Sequence, residues 1–357
     1  FSGDTGFYSG CKKLYVALQE AIAAGRLKGR VKILPGISSV VSLAARVGEN
    51  YEDATILSMH GKKLNRLPAT VESHEKTFLL TSGSEDIRKI GRMLTEAELT
   101  DCEVTAGYQM SYPEEKIRIL TPEQCMELTE EGLYTCLIRN PHPQPERLTH
   151  GRADTCFLRD ASGTEGKLRR TPMTKEEVRE VSICKLHLTE RSVVYDIGSG
   201  TGSVAVEIAG LPGQVQVYAI ERKPEAVELL RKNRAHFHRD NMEIIEASAP
   251  EGLEELPAPT HAFIGGSGGR LLEILQVLYR KNPHMRIVIN AISMETIAEL
   301  REVLEAFPVE EAEILQMQVN RVKQLGSYHM PQAENPVWIC SFTFRESGNG
   351  KNGEVQK

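Results

Sequence analysis

The chain has 357 residues, 40% hydrophobic and 26% charged, with a formal net charge of −6. That length suggests two domains and that balance an ordinary soluble protein with sizeable cores, while the acidic sign and the lack of a strong basic patch argue against nucleic acid as a partner. No run approaches the length of a membrane span, no secretory signal is visible, and seven scattered cysteines without a Cys-x-x-Cys pair support neither a zinc site nor a disulfide framework, so a cytoplasmic, metal-free protein is expected.

The first region covers residues 1–140. It opens on the glycine-rich loop from Ser2 to Gly10, of a kind that normally follows a strand, which implies that the chain begins inside a domain. Lys12 to Ala24 has helical period and a glycine stop at Gly25. Val31 to Leu34 reads as a strand, and Pro35-Gly36-Ile37-Ser38-Ser39 as a turn in which Ser38 or Ser39 caps the next helix. Strands are expected over Ala54–Met59, Thr77–Leu80, Glu103–Gly107, Lys116–Leu120 and Tyr134–Ile138, with helices over Asp86–Leu94 and Pro122–Glu130. This alternation predicts an α/β domain with a mixed sheet.

Four short motifs in this region share an order and spacing: Gly3-Asp4-Thr5-Gly6-Phe7-Tyr8, Pro35 to Ser39, Ser58-Met59-His60-Gly61 and Leu79-Leu80-Thr81. Together they resemble the tetrapyrrole methylase family, most closely its precorrin carbon-5 branch. The resemblance implies S-adenosylmethionine contacts at Gly3, Asp4, Phe7, Ser38, Ser39 and Thr81, and a tetrapyrrole-facing role for His60. The family's first strand and first glycine-rich loop have no counterpart here, so this domain is expected to be truncated and its cofactor site to lack one wall.

Residues 141–170 read as a linker, because Pro141, Pro143 and Pro145 disfavour helix and Ser162, Gly163 and Gly166 loosen the chain. The second region covers 171–345. Thr174 and Glu177 form a capping-box pattern before a helix running to Leu186. Val193–Ile197 is a buried parallel strand, Ser203–Gly210 a helix and Val215–Ile220 a strand ending at Glu221. Further on come a helix (Pro224–Phe237), two strands (Met242–Glu246, Ala262–Ile264), a helix (Leu271–Leu278), a strand (Ile287–Asn290) and a helix (Met294–Leu304). Val309–Val319 and Val337–Phe344 form a final antiparallel pair, and the polar tail, 346–357, is expected to be disordered.

Between the strand at Val193 and the helix at Ser203 stands Asp196-Ile197-Gly198-Ser199-Gly200-Thr201-Gly202. A dinucleotide fingerprint needs glycine at its first, third and sixth positions, and the sixth here is Ser203. Glycines at first, third and fifth, with an acidic residue before them and Glu221 ending the next strand, resemble the S-adenosylmethionine-dependent methyltransferases with a Rossmann-like fold. Residues without side chains let the backbone approach a cofactor, and Glu221 can accept hydrogen bonds from ribose hydroxyls. A second loop, Gly265-Gly266-Ser267-Gly268-Gly269, follows the fourth strand, and its N–H groups suit carboxylates. With Pro172 to Arg179 and Ser248-Ala249-Pro250, this region resembles the decarboxylating precorrin carbon-15 methyltransferases. That resemblance implies cofactor contacts at Thr174, Gly198, Ser199, Gly200, Thr201, Gly202, Glu221 and Ala249, and substrate contacts at Gly265, Gly266, Ser267, Gly268 and Gly269.

The order of the two regions is similar to that of the fused bifunctional precorrin methyltransferases of cobalamin synthesis. This implies methylation of carbons 5 and 15 of a precorrin or cobalt-precorrin and decarboxylation of the ring C acetate, by a homo-oligomer not associated with membrane. A substrate rich in carboxylates calls for cationic and amide donors. Arg270, Asn290, Ser293 and Arg321 are the candidates near the reacting groups. The alternative is a methyltransferase of another small acidic acceptor, with the first region a non-catalytic scaffold.

Overall fold

The structure, a computed structural model, describes residues 4–5, 10–59, 66–144, 149–161 and 169–346. Gly3, Phe7, His60 and the tail beyond residue 346 lie outside the described residues. The chain divides into two compact units, Phe1–Glu146 and Arg147–Lys357. Among the described residues, no helix is long and apolar enough to cross a membrane.

In the first unit, helices α1 (Cys11–Ala23) and α2 (Ser39–Val47) precede strand β1 (Thr55–Ser58). Then follow α3 (Leu67–Ser73), β2 (Lys76–Leu80), α4 (Ser84–Glu96), β3 (Glu103–Tyr108), β4 (Lys116–Leu120), α5 (Pro122–Met126) and β5 (Tyr134–Arg139). The sheet has the order β1-β2-β5-β3-β4, with β1 and β2 parallel and the other pairs antiparallel. It is the mixed sheet expected. Ser38 is the cap of α2, accepting the Val40 N–H at 3.2 Å. Val31–Leu34 is not a strand: it pairs with nothing in the sheet, and Leu34 is 62% exposed. A β-branched run becomes a strand only where a neighbour supplies the ladder and a face to bury. Helix α5 is shorter than expected, and α3, marked by Pro68 in its first turn, was not anticipated.

The second unit begins with a 3₁₀ turn, Asp154–Cys156, and a pair of two-residue antiparallel strands, β6 (Asp160–Ala161) and β7 (Arg169–Arg170). Next come α6 (Glu176–Leu186), β8 (Val193–Ile197), α7 (Ser203–Gly210), β9 (Gln216–Glu221), α8 (Pro224–His236) and β10 (Met242–Glu246). After them stand β11 (His261–Ile264), α9 (Leu271–Lys281), β12 (Arg286–Ala291), α10 (Met294–Ala306), β13 (Val309–Met317), β14 (Asn320–Leu325), β15 (Tyr328–Ala333) and β16 (Val337–Phe344). Seven strands form one sheet in the order β10-β9-β8-β11-β12-β16-β13, parallel except for β16, which runs antiparallel to both its neighbours.

Residues alternate across this sheet as a pleated strand requires. Tyr195 and Ile197 of β8 join one core with α9 and α10, while Val194 joins the other with α6, α7 and α8. Apolar helices thus cover both faces, which is why the central strands read as unbroken hydrophobic runs. The strand order reverses between β8 and β11, and open α/β sheets bind ligands at the carboxyl ends of strands at such a reversal.

Thr174 does not cap α6. The N-cap is Lys175, without a side-chain bond, and the Glu176 N–H donates instead to Asp154 Oδ1 at 3.0 Å. The cap comes from a distant carboxylate that spacing could not reveal.

Candidate active site

The glycine turn leaves β8 with Gly198, Gly200 and Gly202 all in the left-handed region, at φ +74°, +57° and +79°. The backbone here is closely approached from two sides. A Cβ on Gly198 would lie 2.7 Å from Gly266 O, in the second glycine loop. A Cβ on Gly200 would lie 2.9 Å from Pro172 O, in the segment before α6. Any side chain at either position would both strain the backbone and push a loop away. Three loops, after β8, after β11 and before α6, therefore meet at the sheet's reversal.

Glu221 ends β9 beside this turn. Its Oε2 accepts the Gly200 N–H at 2.9 Å, and its Oε1 accepts the N–H groups of Arg222 and Lys223, each at 2.9 Å. These donors hold the carboxylate in one orientation and leave lone pairs on both oxygens for a ligand. Asp196 lies behind the turn, fully buried, with Oδ2 accepting the Ala205 N–H at 3.1 Å. Burial pushes its carboxyl up to about 7, against the pull of its hydrogen bonds and with a smaller push from Glu221.

A cavity of about 490 Å³ opens at this point. Its walls hold Thr174, Gly198, Ser199, Gly200, Glu221 and Ala249 of the expected cofactor set. Thr201 and Gly202 sit in the same turn, buried behind the wall. Gly265, Gly266, Ser267 and Gly268 line the opposite side, and Asn290 stands at its edge. Asn290 Oδ1 accepts the Ser182 hydroxyl at 3.0 Å, and its Nδ2 is buried with no hydrogen-bond partner among the described residues. A smaller adjoining cavity of about 220 Å³ shares Asn290 and Gly265 to Ser267 and adds Ser293, the cap of α10.

Two expected residues stand elsewhere. Arg270 is not in either cavity wall, and its guanidinium pairs with Glu251 and Glu273, each at 2.6 Å. Arg321, on β14, pairs with Glu177 at 2.6 Å and Glu334 at 3.0 Å. Gly269 also lies outside both walls. Conversely, Arg222 and Lys223 line the large cavity and were not singled out, although they directly follow Glu221. Ile292, 63% exposed, lines both cavities.

In the first unit, the hydroxyls of the expected residues serve the fold. Ser38 caps α2, Thr135 donates to the Ser39 hydroxyl at 2.7 Å, and Thr81 donates to Tyr134 O at 2.8 Å. Asp4 is partly buried.

S-adenosylmethionine fits the large cavity by the chemistry of its walls: Glu221 keeps accepting capacity on both carboxylate oxygens beside Gly198, Ser199 and Gly200, which carry little or no side chain and leave their backbone open to a ligand.

Residues 169–343 match the family model described as the precorrin methyltransferase domain, and residues 1–125 match that of the tetrapyrrole (corrin/porphyrin) methylases. A probable cobalt-precorrin-6B C(15)-methyltransferase (decarboxylating) of Pyrobaculum calidifontis is 36% identical over 172 residues, 48% of this chain and 88% of that protein. The precorrin-6Y C(5,15)-methyltransferase (decarboxylating) of a Sinorhizobium species is 26% identical over 302 residues, 84% of this chain and 69% of that protein. A crystal structure of a precorrin-6Y C5,15-methyltransferase from Geobacter metallireducens is 35% identical, with a TM-score of 0.48, over 54% of this chain and 98% of that one. By the extent of its match to the Pyrobaculum protein, the chain belongs to the precorrin methyltransferase family.

Proposed function

We propose that the chain methylates a precorrin macrocycle at carbons 5 and 15 and decarboxylates its ring C acetate in cobalamin biosynthesis, with the second unit carrying the carbon-15 and decarboxylation chemistry. The observation that carries this reading is the cavity at the β8/β11 reversal, walled on one side by the glycine turn and Glu221 and on the other by the second glycine loop. S-adenosylmethionine, when bound, supplies a methyl group already activated on a sulfonium.

The chain's own residues bind and orient. Glu221, held by three N–H donors, takes the ribose hydroxyls. Gly198 and Gly200 let the loops after β11 and before α6 close on the turn, which shapes the cavity beside it. Backbone N–H groups of the second glycine loop, with Arg222 and Lys223, face a polycarboxylate acceptor with donors. Asn290 Nδ2 supplies one more donor beside that loop. Such positioning brings an electron-rich macrocycle carbon into line with the methyl group and accounts for much of the rate. In the decarboxylation, the bond from the acetate methylene to its carboxylate breaks. Its electron pair passes into the conjugated ring, and a proton is taken up at the carbon left behind. The ring is its own electron sink, so this reading requires no protein nucleophile. The net charge of −6 supports a small acceptor over nucleic acid, and the reading places the protein in the cytoplasm.

Calorimetric titration of S-adenosylhomocysteine tests the cofactor site. The parent is expected to bind, and Glu221→Ala to lose at least tenfold in affinity. Incubation with S-adenosylmethionine and a precorrin should yield product masses heavier by each methyl and lighter by carbon dioxide. A parent that binds no S-adenosylhomocysteine and leaves the macrocycle mass unchanged would sink the reading.

A further inference from the structure

Residues 149–158 precede the stretch matched by the precorrin methyltransferase family model. They are nevertheless bound into the second unit by a buried guanidinium, that of Arg179. Arg179, on α6, is 0% exposed. Its Nη2 donates to Arg152 O, and its Nη1 donates to Thr174 O at 2.7 Å. Its Nη1 lies 3.4 Å from Asp154 Oδ1 and its Nε 3.5 Å from Glu207 Oε1, and its plane sits over the Phe157 ring at 4.8 Å. Glu207, itself buried on α7, accepts the N–H groups of Gly151 at 3.2 Å and Arg152 at 2.6 Å. Burying a guanidinium is costly and persists only where its donors are used.

Besides Glu207 on α7, the partners of Arg179 belong to two segments. Arg152 O, Asp154 and Phe157 lie in 149–158, while Thr174 O lies in the wall of the large cavity. The same wall carries Pro172 O, which closes on Gly200. At the far end of the segment, fully buried Asn233 accepts the Leu158 N–H at 2.9 Å and donates to Leu158 O at 3.0 Å and Thr201 O at 2.8 Å. Thr201 belongs to the glycine turn. The segment is thus tied at one end to the wall before α6 and at the other to the turn after β8, two surfaces that both line the large cavity.

We infer that residues 149–158 are a strap, pinned by Arg179, that holds the Thr171–Thr174 wall against the glycine turn and thereby sets cofactor affinity. Arg179 is a positioning residue, and the inference rests on the second unit's cavity being the cofactor site. A purely structural clamp would stabilise the fold without responding to ligand. A strap coupled to the site must respond, because coupling is reciprocal: if the strap strengthens cofactor binding, bound cofactor must stabilise the strap.

The test uses the full chain and S-adenosylhomocysteine as probe. Amide hydrogen exchange at Gly151, Arg152 and Leu158 should slow several-fold on saturation with the probe. Arg179→Met should weaken the probe's binding at least tenfold, with Arg179→Lys partly restoring it. If Arg179→Met does not fold, Asp154→Asn serves in its place and should weaken binding a few-fold. A parent that binds the probe with unchanged exchange at all three amides overturns the strap alone. So does undiminished affinity in the folded Arg179 and Asp154 variants. A parent that binds no probe overturns the functional reading, and the strap with it.

Discussion

Asp196 carries a free-energy cost that depends on pH. Its carboxyl is 1% exposed and pushed up to about 7 by burial, whereas an unfolded chain ionises it near 4. Between those values the folded state holds a proton that the unfolded state has lost, so stability falls as pH rises through this window and flattens above it. His261 works in the opposite direction: burial first, then the nearby Arg286, push it down to about 4, and its contribution is lost as pH falls below about 6.5. Asp196→Asn removes the first effect alone. The carboxamide oxygen still accepts the Ala205 N–H, and His261 is common to both proteins, so it cancels from their difference. The variant should therefore gain on the parent by about 3 kcal/mol more at pH 8 than at pH 5, read from urea midpoints. An equal gap at both values would show that Asp196 ionises normally in the fold. At this scale the sequence was readable where backbone geometry dictates residue type: Gly198, Gly200 and Glu221 stand in one wall because their spacing admits few other conformations. It was unreadable where partners decide. Arg270 and Arg321 have the charge a polycarboxylate needs, but Glu251, Glu273, Glu177 and Glu334 already engage them.

Among the elements, α6 shows how a local pattern can be outcompeted. Thr174 and Glu177 have capping-box spacing, yet the N-terminal N–H at Glu176 is taken by Asp154, which also pairs with Arg179 and with Lys175 at 3.2 Å. One carboxylate that serves a cap, a buried guanidinium and a helix dipole outweighs a threonine hydroxyl. Asp154→Ala should accordingly destabilise the chain by about 1–3 kcal/mol in chemical denaturation. Thr174→Ala should change stability by less than about 0.5 kcal/mol, since the bond made there uses its carbonyl. The reverse ranking would restore the capping box. An element whose end is marked by its own residue was legible, such as α2 with Ser38, whereas Ser293, read as a candidate near the reacting groups, is the cap of α10. The β14–β15 hairpin was not: its residues are exposed on both faces, so no period marks it, and its base nevertheless brings Val319, Glu334 and Asn335 to the cavity.

At the scale of the molecule, strand order in sequence is β8, β9, β10, β11, β12, while order in space runs β10-β9-β8-β11-β12. The reversal turns two sequence-distant glycine loops into facing walls, and no pairwise spacing could have placed Gly198 against Gly266. The first unit offers a contrast. Its expected cofactor residues Ser38, Ser39 and Thr81 all have hydroxyls engaged in bonds that hold α2 and the sheet together. Those bonds tie the hydroxyls to the fold, whereas Glu221 in the second unit keeps accepting capacity turned to a cavity. The stoichiometry of S-adenosylhomocysteine should therefore be one per chain, with that single site weakened at least tenfold in Glu221→Ala. Thr81→Val strips the donor from Tyr134 O and should lower stability by about 1 kcal/mol while leaving the titration unchanged. Two molecules per chain, with one lost on Thr81→Val, would mean instead that the first unit rearranges these hydroxyls to hold cofactor.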